Sequence, residues 1–294
     1  MSNDTLSNGT LTIEAACHGA ELQSLRKNGR EYLWQGDARY WGRRSPVLFP
    51  MVGRVWGDEF RLDGRSWPMG QHGFARDADF RRVDGAPAGM LLYELSSDAS
   101  TLERFPREFA LRVGYRLEGD SVIVGWEVEN TGGRELSFQI GAHPAFYLPD
   151  HEAGAEVHAR FAFDGSGPLH YLVPKERGCM ADSHRTLHLD EQGQMAVAAD
   201  TFACDTYAFD NSQLRRVDLL AADGTPYVSL EFDAPLVALW APTATKPDCP
   251  FVCIEPWYGC ADTVGYDGLW DDRRHMNRLE PGETFKAEYK ITIH

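Results

Sequence analysis

Two short segments each place a group able to move protons directly before a proline. Gly141-Ala142-His143-Pro144-Ala145-Phe146 carries an imidazole, and Phe251-Val252-Cys253-Ile254-Glu255-Pro256-Trp257-Tyr258-Gly259 carries a carboxylate. Proline drives the residue before it into extended geometry and removes a ladder hydrogen bond, so both groups are expected at strand ends. An imidazole with a pKa of ~6.5 can give or take a proton near neutrality. On a strand, Phe251, Cys253 and Glu255 share one face, which sets the carboxylate among apolar neighbours. A charge in such surroundings must be paired or have its pKa raised, and a raised carboxylate serves as a general base near pH 7. Plainer readings stand beside these. His143 could be a core histidine bonded to a carbonyl, Glu255 the partner of an arginine, and Trp257 core packing instead of a platform for a ligand ring.

A third region joins Phe49-Pro50-Met51-Val52-Gly53-Arg54 to Gln71-His72-Gly73-Phe74-Ala75-Arg76-Asp77. Arg54, His72 and Arg76 are polar heads among apolar residues and glycines, and binding residues favour loops on a rigid scaffold. Solvated loop side chains are the alternative. Cys249, Cys253 and Cys260 lie close together, but their spacing matches none of the usual zinc pairs and Cys253 falls in an apolar strand, so they read as buried thiols. His184 and His188 would share a face only on a helix, and their segment reads as loop and strand. No metal is expected.

These side chains need elements to hold them, and the elements read as strands. Phe109, Leu111, Val113, Tyr115 and Leu117 alternate with polar or small residues, Val122, Val124, Trp126 and Val128 repeat the pattern, and Leu136 to Ile140 follows. Phe285, Ala287, Tyr289, Ile291 and Ile293 alternate with Lys286, Glu288, Lys290 and Thr292. Asn28-Gly29, Asp63-Gly64, Asp84-Gly85, Asp223-Gly224 and Pro281-Gly282 supply tight reversals. Helices are expected only at Ala38 to Trp41, Ser100 to Arg104 and Leu269 to Arg273. Many short strands with few short helices indicate an all-β sandwich or barrel, and without a linker or repeat the 294 residues form one domain.

Composition narrows the partners. A formal net charge of −15 argues against nucleic acid or an anionic membrane, and no apolar run is long enough to cross a bilayer. The polar start, Met1-Ser2-Asn3-Asp4, lacks the order of a signal peptide, so a cytoplasmic location with six reduced cysteines is expected.

Taken together, an acid and a base at two strand ends fit proton transfer to one oxygen and from another, as the exchange of sugar anomers requires, with no cofactor. The set of motifs resembles the aldose 1-epimerase (galactose mutarotase-like) family, more narrowly its LacX-like branch. The resemblance runs through Phe49 to Arg54, Gln71 to Arg76, Gly141 to Phe146, and Leu239-Trp240-Ala241-Pro242 to Gly265. It implies a β-supersandwich with an open cleft for a hexose, Glu255 as catalytic base and His143 as acid. It further implies that His72 and Arg54 contact the sugar, that Asp205 binds sugar hydroxyls, and that Arg76 and Trp257 belong to the binding surface. The better-known members carry an Asn-His-Ser/Thr-Tyr-Phe type motif at the acid, where this chain has Ala142-His143-Pro144-Ala145-Phe146.

Three other functions stay open on the sequence. Arg43, Arg44, Arg54, Arg61, Arg65, Arg76, Arg81 and Arg82 could hold the phosphate of a hexose 6-phosphate, although Asp58, Glu59, Asp63, Asp77 and Asp79 interleave them. A sugar-binding or regulatory protein would need no acid–base pair. Glycoside hydrolysis would need two facing carboxylates, for which Asp205 and Glu255 are available.

Overall fold

The computed structural model describes residues 3–149, 151–165 and 167–294, so Met1 and Ser2 of the polar start lie outside it. Its largest sheet has nine antiparallel strands, in the order Gln194–Val197, Ala159–Phe163, Arg216–Leu220, Pro226–Phe232, Thr284–Ile293, Ser121–Asn130, Phe109–Glu118, Met90–Ser96 and Arg81–Arg82. The alternating stretches form its centre. Phe109–Glu118 and Ser121–Asn130 pair from Phe109↔Asn130 to Glu118↔Ser121, and Thr284–Ile293 inserts between Ser121–Asn130 and Pro226–Phe232. Their inward side chains, among them Trp126, Tyr93, Tyr115 and Phe109, are fully buried and fill the main core.

The second large sheet positions the candidate acid–base residues. Thr206–Phe209, Leu236–Trp240, Phe251–Tyr258, Ile140–Ala142 and Val47–Leu48 lie side by side, and Ala145–Tyr147 also pairs with Phe251–Tyr258. A smaller apolar cluster that includes Leu48, Ala208, Leu236, Ala238 and Trp257 packs on the face of this sheet that bears Glu255.

Turn chemistry follows the sequence. Asp63 and Gly64 both adopt positive φ, 51° and 71°, in the hairpin joining Glu59–Leu62 to Arg65–Pro68, as do Asn28 and Gly29 before Arg30–Glu31. Helix is scarce. The segment expected from Ser100 to Arg104 is a single α-turn at Ala99–Leu102, capped by Asp98. Leu269 to Arg273 shortens to a 3₁₀ turn at Trp270–Asp272. Ala38 to Trp41 is not helical: the Tyr40 and Trp41 N–H groups both donate to Asp37 O, giving one isolated turn. A single turn between Gly36 and Gly42 has no length over which to propagate. The strand expected from Leu136 to Ile140 breaks at Gln139 into Leu136–Phe138 and Ile140–Ala142, which belong to different sheets. The buried amide of Gln139 explains the break, since it accepts from the Val52 N–H at 3.1 Å and donates to Cys260 O at 3.2 Å and Arg274 O at 2.7 Å.

Candidate active site

Register brings the two prolines' neighbours together. Ala145 pairs with Cys253 and Gly141 pairs with Trp257, so the residue midway on one strand, His143, stands opposite the residue midway on the other, Glu255. The ladder is interrupted here, which is why Pro256, with no N–H to give, fits a strand paired on both sides. Directly opposed side chains on one face approach closely, and His143 Nε2 lies 3.3 Å from Glu255 Oε2. Both residues line a cleft of about 240 Å³.

Electrostatics set the protonation of this pair. Glu255 is 1% exposed, and burial pushes its carboxyl well above the ordinary range, with the Asp205 charge adding to the push and the Trp257 indole opposing it. Burial takes the His143 imidazole down to about 3, assisted by the positive charges of Arg76 and Arg43. The pair is therefore a carboxylic acid beside a neutral imidazole, holding one proton between them. Glu255 Oε2, His143 Nδ1 and Trp257 Nε1 are buried without a partner at hydrogen-bond geometry. Buried polar atoms are rarely left so, and in a cleft they are ready for a polar ligand.

The residues around the pair are held from several directions. The His143 ring stacks on Trp41, with centroids 4.8 Å apart and planes 26° apart, and meets the edges of Trp240 and His72 at 5.5 and 5.6 Å. His72 has φ 63°. Its Nδ1 accepts from the Gly53 N–H at 3.1 Å, and the His72 backbone N–H donates to Gly53 O at 2.7 Å. Burial and the neighbouring His143 keep the ring neutral, so the tautomer is fixed with the proton on Nε2. Gly73 makes this possible: at φ 70° a Cβ there would meet Phe49 O at 2.2 Å.

Asp205 also has positive φ, 72°, and its Oδ1 accepts from Trp240 Nε1 at 2.8 Å. Burial raises its carboxyl. Arg76 reaches the cleft from the 3₁₀ turn Ala75–Asp77, with its Nε buried and unpartnered and Asp77 no nearer than 3.7 Å. Burial and the adjacent Arg43 lower its pKa to about 10.

The cleft thus gathers Glu255, His143, His72, Asp205, Arg76 and Trp257 of the residues read from the sequence. Arg54 is the exception. It pairs with Asp58 at 3.0 Å and packs behind Gly178, whose backbone forms part of the lining in its place. Trp41, Trp240, Gln71, Met180 and Thr206 complete the walls. Trp240 lay within a quoted motif without a role, and Trp41 was assigned to a helix that does not form. His184 Nε2 contacts Asp210 Oδ1 at 2.9 Å, and the strand Arg185–Leu187 separates it from His188. The six cysteines are free, and burial raises the thiols of Cys249 and Cys260 to about 12.

No helix among the described residues is long and apolar enough to cross a membrane. A family model described as aldose 1-epimerase matches residues 4–292. The chromosomal and plasmid LacX proteins of Lactococcus lactis subsp. lactis are each 29% identical over 299 residues, covering 98% of both chains. A galactose mutarotase related enzyme from Lactobacillus acidophilus superposes with a TM-score of 0.88 at 30% identity, over 99% of this chain and 97% of that one. A galactose mutarotase-like protein from Lactobacillus casei gives a TM-score of 0.90 at 27% identity over 100% of both. The all-β architecture is therefore of the galactose mutarotase type, and the chain belongs to the aldose 1-epimerase family.

Proposed function

We propose that the protein is an aldose 1-epimerase that interconverts the α and β anomers of a hexose without a cofactor. The observation that carries this reading is the 3.3 Å approach of His143 Nε2 to Glu255 Oε2 on the floor of the cleft. In a pyranose the hydroxyl oxygen to be deprotonated and the ring oxygen to be protonated are bonded to the same carbon. The two groups that serve them must themselves be neighbours, as these are. Glu255 takes the C1 hydroxyl proton while His143 protonates the ring oxygen, the C1–O5 bond breaks, and rotation about C1–C2 exposes the other carbonyl face. Reclosure returns both protons. This direction requires carboxylate and imidazolium, which the resting pair reaches by passing its one proton from Glu255 to His143 with no exchange with solvent. Asp205 and the Nε2–H of His72 are suited to sugar hydroxyls, and the aromatic walls to the apolar sugar face. Anomer exchange measured by magnetisation-transfer NMR on galactose and glucose, wild type against Glu255→Gln, tests the proposal. Acceleration by wild type alone supports it, and none by folded wild type on any sugar overturns it.

A second reading concerns the substrate. Arg76 is a largely buried cation whose Nε has no hydrogen-bond partner, with Asp77 at 3.7 Å as its counter-charge and Arg43 repelling it from nearby. A phosphate or carboxylate on the sugar would relieve both, which favours an acidic sugar such as a hexose 6-phosphate. Including glucose 6-phosphate in the same exchange experiment separates the two.

A further inference from the structure

Cys253 has no part in the chemistry above, yet the fold delivers its sulfur to the pair. It lies two residues before Glu255 on one strand, so both side chains leave the same face, and it is paired with Ala145, two residues beyond His143. One ligand atom from each of His143, Cys253 and Glu255 lies within 4.8 Å of the others, and all three residues are buried.

We propose that His143, Cys253 and Glu255 form a site for a soft divalent cation of the zinc class, and that filling it removes both proton-transfer groups from use. The inference that this ion blocks turnover rests on the anomer-exchange reading; the site itself does not. Zinc binds thiolate at ~2.3 Å, imidazole at ~2.0–2.1 Å and carboxylate at ~2.0–2.2 Å, so neighbouring N and O ligands of a tetrahedron are separated by about 3.4 Å. His143 Nε2 and Glu255 Oε2 already stand 3.3 Å apart. Sulfur and its N or O neighbours on a tetrahedral ion are about 3.6 Å apart, so the sulfur must close in by up to about 1.2 Å, within the reach of a cysteine rotamer change. Glu255 Oε2 has no hydrogen bond to give up. His143 and Glu255 line the cleft, which provides the entry path, while Cys253 lies fully buried behind them. On binding, the Cys253 thiol and Glu255 carboxyl release their protons to solvent while sulfur and oxygen donate electron pairs to the metal, with no change of oxidation state.

The test uses the full chain under reducing, mildly alkaline conditions, with Co²⁺ as the spectroscopic probe and Zn²⁺ as its competitor. One equivalent of Co²⁺ is expected to give thiolate-to-metal charge-transfer absorption and the intense visible bands of a four-coordinate ion, both erased by Zn²⁺. Cys253→Ala should abolish the charge-transfer band. His143→Asn, which keeps the thiol, should weaken binding by about tenfold or more, the scale seen when metal-site groups are lost. A wild-type protein without the band, or an unchanged band in folded Cys253→Ala, overturns the site. If Cys253→Ala does not fold, a His143→Asn variant with undiminished affinity overturns it equally. Zn²⁺ should also inhibit exchange in wild type, reversibly by chelator, with the inhibition lost in Cys253→Ala relative to that variant's own metal-free rate. Co²⁺ spectra without any exchange would sink the epimerase reading alone, whereas exchange without the spectra would sink the metal site alone.

Discussion

His143 and Glu255 face each other across a broken strand ladder, 3.3 Å apart, and hold a single proton between them. The proposed anomer exchange needs that count to be one. It becomes two when the imidazole gains a proton, at about 3, and zero when the carboxyl loses its own, well above the ordinary range. The profile of kcat/KM against pH is therefore expected to be bell-shaped, with its acid limb near pH 3, no inflection near the ordinary histidine value, and an alkaline limb set by Glu255. Exchange rates corrected for the uncatalysed reaction check this. A limb near pH 6.5 would show that His143 titrates as a free imidazole.

Removing either partner should reveal what a positioned group contributes. Glu255→Gln and His143→Asn are each expected to slow anomer exchange by about 10²–10⁴-fold. Circular dichroism must show both folded. Near-wild-type turnover in either would remove that residue from the proton path.

The same buried carboxyl costs stability. The native protein keeps the Glu255 proton above pH 4.5, where an unfolded chain releases it, so this group's contribution to stability declines as pH rises from there to its folded pKa. Glu255→Gln is expected to raise Tm at neutral pH by a few degrees, about 1 kcal/mol corresponding to roughly 2–4 °C in a chain of this size. That gain should vanish below the ordinary carboxylate range. Calorimetry at two pH values decides, and a gain independent of pH would contradict the buried, protonated state.

Gly73 lets His72 reach its place, so Gly73→Ala is a test at a distance from the reacting atoms. Strain at φ 70° and a Cβ placed 2.2 Å from Phe49 O should cost about 1–3 kcal/mol of stability or more. As His72 is assigned to binding, KM should rise more than kcat falls. Steady-state kinetics and denaturant melts measure both.

If the substrate carries an acidic group, Arg76→Met should raise KM for that sugar about tenfold, equivalent to about 1.4 kcal/mol, and affect a neutral hexose much less. Equal effects on both would leave Arg76 with no preference for an anion.

Much of this was legible in the chain. Alternation located Phe109–Glu118, Ser121–Asn130 and Thr284–Ile293 because each has one buried face, and Asn-Gly and Asp-Gly marked reversals because they tolerate positive φ. The two groups that stand directly before a proline stood out because the local rule for a strand is broken at each. What remained hidden was register. Alternation puts Cys253 on the face of Glu255, but nothing local states that His143 lies opposite them, because that relation depends on pairing residues more than a hundred positions apart. Trp41 was missed for a related reason: its position is fixed by stacking on His143, not by its own segment. Arg54 shows the converse, a residue expected to contact the sugar that does not line the cleft and whose charge is paired with Asp58.

Thr284–Ile293 sits between Pro226–Phe232 and Ser121–Asn130 and, among the described residues, joins the two halves of the nine-stranded sheet. During synthesis those halves emerge long before the strand that joins them. Until residues 284–293 arrive, each half ends in an open strand edge, a ready template for pairing with another chain. Both edges are open together from the completion of Pro226–Phe232 until Thr284–Ile293 follows it, and that single strand closes both at once.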